Sequence, residues 1–460
     1  MGSSSSPSAS SGGTVFPCSC TWVLCAWPGS EQAARMIAYR STQVRTLLLY
    51  AQDDKGLGHV TRTLTIARHI LARHPNCIAY IATKSPLAGF TLPERCDYIK
   101  LPNLLPPPRG AGQWTVDQEE EAKRHFRRIR GQMLRDAALG LAPDLVLVDH
   151  EPLGSKGEFR DGLCALKAER PTTRFVFGLR DIQDDAVRIR ALWQEVGVYD
   201  TLEKLYDGIA VYGSPKLYDV AEAYAIPPSV QSKLHYCGYI VRDPPAIDAG
   251  ALRQRHGLPD NGPLVLAIVG SGSDGYPVLE AARAAVERLQ TKFPDLLAIL
   301  VTGPFMPVDE QARLQAQATA TCRVVSWADN FELMAAADAV VSMGGYNSVC
   351  EALVQARPLV IVPRATHKVE QRIRAETLAA RGLARWVHPK ELTGENLAEA
   401  LEWALRQDRQ AHARLVREVI PSFDGAARLT NYLSRWLGSA QPEAEARDVY
   451  AASTCGGGVT

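Results

Sequence analysis

The sequence predicts an α/β protein made of two Rossmann-like domains whose parallel sheets face each other across a cleft. Three observations carry this. Short apolar runs alternate with longer amphipathic segments from Arg45 to Leu437. The runs are continuous in Val, Ile and Leu, as in strands buried on both faces, not alternating as in half-exposed ones. The alternation occurs twice, in halves separated by the break Arg242-Asp-Pro-Pro-Ala246, and repeated strand–helix alternation builds parallel sheets covered by helices.

In the first half the runs that read as strands are Thr46–Ala51, Ile78–Thr83, Leu145–Asp149, Phe175–Leu179 and Gly208–Val211. Val60, Leu64, Ala67 and Leu71 between them recur on one stripe of a helix. In the second half the strand runs are Leu264–Val269, Ala298–Thr302, Cys322–Ser326, Ala339–Ser342 and Leu359–Val362. This grammar divides the chain into domains at 45–242 and 243–437. The flanks, 1–44 and 438–460, are expected to be disordered: the opening MGSSSSPSASSGG is Ser/Gly-rich, and the tail is rich in Ala, Gly and Glu. Residues 14–27 are mildly apolar but lack a basic lead-in and a small-residue cleavage site. A start at Met36 is therefore a simpler reading than a signal peptide.

Composition narrows the function. Lys plus Arg number 51 and Asp plus Glu 50, a net charge of +1, which argues against gripping nucleic-acid backbone or an anionic membrane surface. No run approaches the ~20 apolar residues of a membrane span, so no stable membrane insertion is expected. The ten cysteines form no CxxC pair. A zinc site or disulfide framework is not expected, and a reducing cytoplasm is the expected location.

In parallel α/β sheets ligands bind beyond the carboxyl ends of the strands, so the residues after each strand carry the argument. The first such loop holds Gly56, Gly58 and His59. The glycines let backbone approach a ligand, and a helix N-terminus disfavours imidazolium, leaving His59 able to take a proton. A tight turn with a helix-start histidine explains the same residues. Asp149 closes the third strand, where a carboxylate can orient His59; a solvated or capping Asp is the alternative reading of the same spacing. Arg180 and Asp181 follow the fourth strand. Asp181, Asp184 and Asp185 lack the His or Glu company of a metal site, so no metal is expected.

In the second half Gly270, Ser271 and Gly272 open a small-residue loop that suits a diphosphate. A surface turn is the alternative. The next strand ends in Thr302-Gly-Pro304 without the acidic residue that would hold an adenosine ribose, which argues against NAD. Gly344 and Gly345 lead from a strand into a helix expected to start near Ser348. Amides at 344–348, including Asn347, suit phosphate, and Glu351 suits a ribose diol. Ser348 and Glu351 also have capping-box spacing. Glu370 and Gln371, opening a later helix, suit sugar hydroxyls or a plain surface.

Together SMGGYNSVCEAL, LVIVPR and EQRIRAETLAARGL resemble the C-terminal half of family-28-type glycosyltransferases, of which the peptidoglycan N-acetylglucosaminyltransferase is the best known. With GLGHVTRTLTIAR and LVLVDHEPLG they also resemble a group of bacterial glycosyltransferases known from sequence, over roughly residues 45–435. The resemblance implies a GT-B fold, with a nucleotide sugar held by the second domain and an acceptor of unspecified kind by the first. It implies metal-independent transfer with no cofactor beyond the sugar nucleotide. It puts Glu351 on the ribose, Gly344 and Gly345 at the diphosphate, and Glu370 with Gln371 at the donor sugar. Arg374 stands where relatives often have Asn.

Three functions follow from that resemblance. In an inverting glycosyltransferase, His59, or Asp149 through it, deprotonates an acceptor hydroxyl. GHVTR and VDH also resemble the UDP-sugar hydrolase of pseudaminic acid biosynthesis. A non-catalytic sensor is the third. Pro106–Pro108 and the charged helix Asp117–Arg135 suit covering an acceptor, which favours transfer.

Overall fold

A computed structural model describes residues 44–52, 57–85, 91–105, 114–243, 249–364 and 369–438. The disordered ends expected from the sequence, Pro106–Pro108 and Gly56 lie outside the described residues, Val44 and Gly438 excepted.

The first sheet has seven strands: β1 (Arg45–Ala51), β2 (Cys77–Thr83), β3 (Cys96–Lys100), β4 (Leu145–Asp149), β5 (Arg174–Arg180), β6 (Gly208–Tyr212) and β7 (Leu234–Tyr236). Their order is β3-β2-β1-β4-β5-β6-β7, all parallel. The second has six: β8 (Leu264–Ile268), β9 (Leu297–Val301), β10 (Cys322–Val325), β11 (Ala339–Ser342), β12 (Leu359–Ile361) and β13 (Ala384–Trp386). Their order is β10-β9-β8-β11-β12-β13, again all parallel.

Chain direction across each sheet reverses once, between β1 and β4 and between β8 and β11. Ligand crevices form at these switch points. The segments that follow β1 and β4 carry His59 and His150, and those that follow β8 and β11 carry Gly270 and Gly344. Topology thus assembles the loops singled out by sequence.

Apolar runs work as expected. In β1, Leu47 and Leu49 enter one core cluster while Leu48 and Tyr50 enter the other, the period of two splitting one run between both faces of the sheet. The stripe Val60, Leu64, Ala67 and Leu71 is buried in the helix Gly58–Arg73. Three strands are additional to those read from sequence: β3, β7 and β13. All are edge or near-terminal strands of three to five residues with partly exposed side chains, so they lack the apolar run that marks a buried strand.

The last helix, Gly425–Leu437, packs against the helix Gly58–Arg73 of the first lobe. His74 Nε2 lies 3.0 Å from Ser434 Oγ, and Gly208 is kept free of a side chain by the Tyr432 hydroxyl. A division into 45–242 and 243–437 places this helix with the second lobe; its packing joins it to the first instead. Its Leu429, Leu433 and Leu437 share a core cluster with Ile70 and Leu71.

The described cysteines 77, 96, 164, 237, 322 and 350 are free thiols. Burial pushes Cys77 and Cys237 up to about 12, so they behave as small apolar side chains. No helix among the described residues is long and apolar enough to cross a membrane.

Candidate active site

His59 is the second residue of the helix that follows β1, and Asp149 is the last of β4. Because β1 and β4 are neighbours, the two side chains meet: His59 Nδ1 lies 2.6 Å from Asp149 Oδ2. Arg62, one turn along the same helix, donates to both oxygens of that carboxylate. Its Nη2 lies 2.8 Å from Oδ1 and 2.7 Å from Oδ2, and its Nε 3.2 Å from Oδ1. At Nδ1 the carboxylate can only accept and the Arg62 guanidinium, 2.9 Å away, can only donate; the shorter contact, 2.6 Å to Asp149, favours a proton on Nδ1, which leaves the basic lone pair on Nε2.

Burial pulls the His59 pKa down to about 4 against the attraction of Asp149, and Arg62 and Arg180 add to the lowering. Burial would raise Asp149, but Arg62 and His59 outweigh it and hold the carboxyl at about 2. At neutral pH the trio is therefore neutral imidazole, carboxylate and guanidinium. A neutral imidazole is what the helix dipole was expected to favour; burial is its principal cause.

Both groups hold protons less readily in the fold than in the unfolded chain, where His titrates near 6.5 and Asp near 3.8. Their contribution to stability is full above pH 6.5 and is lost as pH falls, His59's between 6.5 and about 4, Asp149's between 3.8 and about 2. Lowering pH from 7 to about 4.5 should cost about 2 kcal/mol through His59. Denaturant unfolding at the two pH values should show this loss in the wild type and a smaller one in His59→Gln. Equal losses would contradict the assignment.

The residues around the pair are tightly placed. His150 takes a left-handed backbone, φ +74, just past β4, a conformation costly for a non-glycine residue and frequent at functional sites. Its ring centroid is 4.7 Å from that of His59. Gln183 Nε2 donates to its carbonyl, 3.2 Å. Arg180 ends β5, buried, with Nη2 2.9 Å from Glu370 Oε2 in the second lobe.

Asp181 accepts from the Tyr239 hydroxyl at 2.8 Å and from the Ile182 amide at 2.7 Å. It is an internal strut. Asp184 accepts from the Val369 amide at 3.0 Å, and Asp185 caps the helix Ala186–Glu195. Among the described residues no group of three His, Cys, Asp or Glu side chains is placed to hold a metal.

In the second lobe Gly344 has φ +80, and a Cβ there would sit 2.9 Å from Ile361 Cγ2. Only glycine fits this turn. The helix begins at Tyr346, with Gly345 as its cap and no side-chain capping bond. This start is two residues before the one read from sequence, and the Ser348–Glu351 capping box does not form. Helix Tyr346–Val354 thus opens with amides that no side chain satisfies and with the positive end of its dipole.

The loop after β8 is a packed turn. Gly270 and Gly272 have φ +64 and +93, and a Cβ on Gly272 would collide with the Thr302 carbonyl. Ser271 O accepts from the Phe305 amide, 2.8 Å. Asp274 of the same loop pairs with Arg364 at 2.6 Å, and the Arg364 amide donates to Gln371 Oε1 at 3.0 Å. The two loops and Gln371 are thereby linked.

Glu351 is buried and lies 2.9 Å from Arg242 Nε, while Arg242 also grips Asp329 at 3.0 and 3.2 Å. Burial raises the Glu351 pKa and Arg242 opposes it. Arg374 donates to the Gly344 carbonyl at 2.7 Å and reaches Ile182 O at 3.5 Å. It braces the glycine turn against the first lobe.

The halves of the site touch. Asn347 Nδ2 donates to Gly58 O at 3.1 Å, and the Tyr346 hydroxyl accepts from the Ile240 amide at 3.1 Å. A narrow gap lined by Thr61, Arg62, Arg242, Asn347 and Glu351 runs between them. The structure thus brings together His59, Asp149, Arg180, Glu370, Gly58 and Asn347. Gly270, Ser271 and Gly272 form a separate turn, joined to Gln371 through Asp274 and Arg364. Sequence reasoning missed Arg62, His150, Arg242 and Tyr346. Arg62 and His150 had signals, the first one helical turn from His59 within GHVTR, the second beside Asp149 within VDH.

The two parallel-sheet lobes, whose switch-point loops meet, share the GT-B fold of the solved structures named below. Residues 265–419 match the glycosyltransferase family 28 C-terminal domain, so the resemblance seen in the sequence holds for the second lobe. An uncharacterized glycosyltransferase of Methanopyrus kandleri is 27% identical over 209 residues, 44% of this chain and 56% of that protein, so the match spans little more than half of that relative. Among solved structures, the glycotransferase of kitacinnamycin superposes with TM-score 0.62 at 17% identity, covering 86% of this chain and 100% of that one. CalG4, the calicheamicin glycosyltransferase, gives 0.58 at 20% identity, covering 87% and 100%. UGT2 of Phytolacca americana, solved with UDP-2fluoro-glucose and pterostilbene, gives 0.59 at 14% identity, covering 86% and 100%. At these identities the solved structures establish the fold.

Proposed function

We propose that the protein is a metal-independent, inverting glycosyltransferase that moves a sugar from a nucleotide-sugar donor, a UDP-sugar in the first instance, to an acceptor hydroxyl. The observation that carries this reading is the contact of the two switch-point loops. The helix that carries His59 is bonded, through the Gly58 carbonyl, to Asn347 of the uncapped helix start at Tyr346.

In this reading His59 Nε2 takes the proton of an acceptor hydroxyl as its oxygen attacks C1 of the donor sugar. Asp149 holds the ring and stabilises its transient charge. The bond from C1 to the diphosphate breaks, and the leaving group's charge is met by the helix start at 345–348 and its dipole. Gly270, Ser271 and Gly272 flank it. Glu351 takes the ribose hydroxyls, and Glu370 and Gln371 the sugar's. The relatives named above are glycosyltransferases, and on that ground transfer is preferred to hydrolysis.

The test is to incubate the protein with UDP-, TDP-, GDP- and ADP-sugars in EDTA, with and without an acceptor panel, and to follow free nucleotide. Release that depends on an acceptor and survives EDTA is expected. Release from donor and water alone would restore the hydrolase reading, and a requirement for added metal would overturn the metal-free one.

Glu351→Ala should weaken nucleotide binding by about 1.5–3 kcal/mol, the range for hydrogen bonds to a charged group. Calorimetry with the preferred nucleoside diphosphate reads this. Unchanged affinity would remove Glu351 from the ribose.

A further inference from the structure

We propose that Arg62 is a positioning residue for the base. Its guanidinium, forked onto Asp149 and set against one tyrosine of each lobe, adds to burial in keeping His59 uncharged and links that state to the seating of the second lobe. The use made of the base rests on the glycosyltransferase reading; the placement of Arg62 does not.

Arg62 stands where a lone cation is unfavoured, because its side chain is 2% exposed. Its compensation is concentrated on one group, Asp149, which it contacts through three close donor–acceptor pairs. A plain core ion pair would end there, but Arg62 Nη2 also lies 2.9 Å from His59 Nδ1. A carboxylate facing only a histidine stabilises imidazolium. Here Asp149 is already compensated by a guanidinium, and that guanidinium opposes a second proton on the ring. The other groups facing His59 act in the same frame: the His150 ring at 4.7 Å, and Arg180 from the end of β5, whose charge is taken by Glu370.

The guanidinium lies against one aromatic ring from each lobe. Tyr212 of β6 lies with its ring centroid 5.4 Å from the guanidinium carbon, and Tyr346 of the second lobe at 5.3 Å. Tyr346 is the first residue of the uncapped helix. A shift of that helix start reaches the base through a single side chain.

The test is the titration of the His59 ring by nitrogen-detected NMR in the full chain without substrate, with His59→Gln assigning the signal. The wild type should show the Nδ1–H tautomer and a midpoint well below that of an ordinary histidine. In Arg62→Met and Arg62→Gln the midpoint should rise by about 1–3 pH units, the usual effect of one adjacent charge. If neither neutral variant folds, Arg62→Lys decides. Its ammonium cannot span both carboxylate oxygens and Nδ1, so a smaller rise is expected. Adding UDP should move the His59 signal in the wild type and not in Tyr346→Leu. A midpoint that is ordinary in the wild type, or unmoved in every folded Arg62 variant, would overturn the proposal. A His59 signal that responds to UDP equally in Tyr346→Leu would overturn the link between lobes. Absence of any response to UDP or another nucleoside diphosphate in the wild type would count against the donor reading as well, while leaving the titration of Arg62 variants decisive for the placement.

Discussion

His59→Ala lowers turnover by about 10²–10⁴, the usual cost of removing a general base, while the affinity for nucleoside diphosphate changes little. The split follows from the geometry. His59 belongs to the first lobe and presents its basic nitrogen, Nε2, away from Asp149, whereas the helix start and Glu351 belong to the second. The fold should survive the change, because the side chain is one-fifth exposed and Arg62 keeps its grip on Asp149. Steady-state kinetics and calorimetry on the same preparation read both quantities. Loss of nucleotide affinity with turnover retained at saturation would make His59 a donor ligand instead of a base.

Asp149→Ala has the larger effect on stability. It strands the buried guanidinium of Arg62, whose ion-pair contacts end on that carboxylate. Breaking a buried ion pair from one side costs about 3–5 kcal/mol, because the remaining charge is uncompensated. The double variant Arg62→Met/Asp149→Leu should recover most of that loss while remaining inactive, since neither the charge nor the ring's anchor is left. Denaturant unfolding of the two variants decides. If Asp149→Ala unfolds no more easily than the wild type, the carboxylate does not carry the burial of Arg62. Asp149→Asn keeps an acceptor for His59 Nδ1 and should retain more activity than His59→Ala; the reverse order would make Asp149 the better candidate for the base.

How much of this was legible in the sequence follows from physical range. Strands buried on both faces announce themselves as unbroken apolar runs, so β1, β4, β8 and β11, which flank the switch points, could be read directly. The rule that ligands gather beyond strand ends then singled out His59, Asp149, Gly344 and Glu351. Edge strands gave no such run: β3 is Cys-Asp-Tyr-Ile-Lys, partly exposed throughout. Arg62 was passed over because an arginine on an amphipathic helix ordinarily belongs to its wet face. Its burial depends on Asp149, 87 residues away in the chain. Arg242 is likewise defined by Asp329 and Glu351, 87 and 109 residues distant. Local spacing also misled. Ser348 and Glu351 fit a capping box, yet the left-handed turn at Gly344 lets the helix start at Tyr346, which leaves Glu351 facing Arg242.

The central claim is that the uncapped helix start at Tyr346, set against His59, is the seat of a donor's diphosphate. Titrating UDP, TDP, GDP and ADP into the full chain by calorimetry, with EDTA present, tests it most directly, with Gly344→Val as the control because a side chain there collides with Ile361. The account predicts that at least one nucleotide binds at one site per chain without metal, and that Gly344→Val, still folded by circular dichroism, binds it at least about tenfold more weakly, a change of about 1.4 kcal/mol. Failure of all four to bind, or full affinity in a folded Gly344→Val, would contradict it.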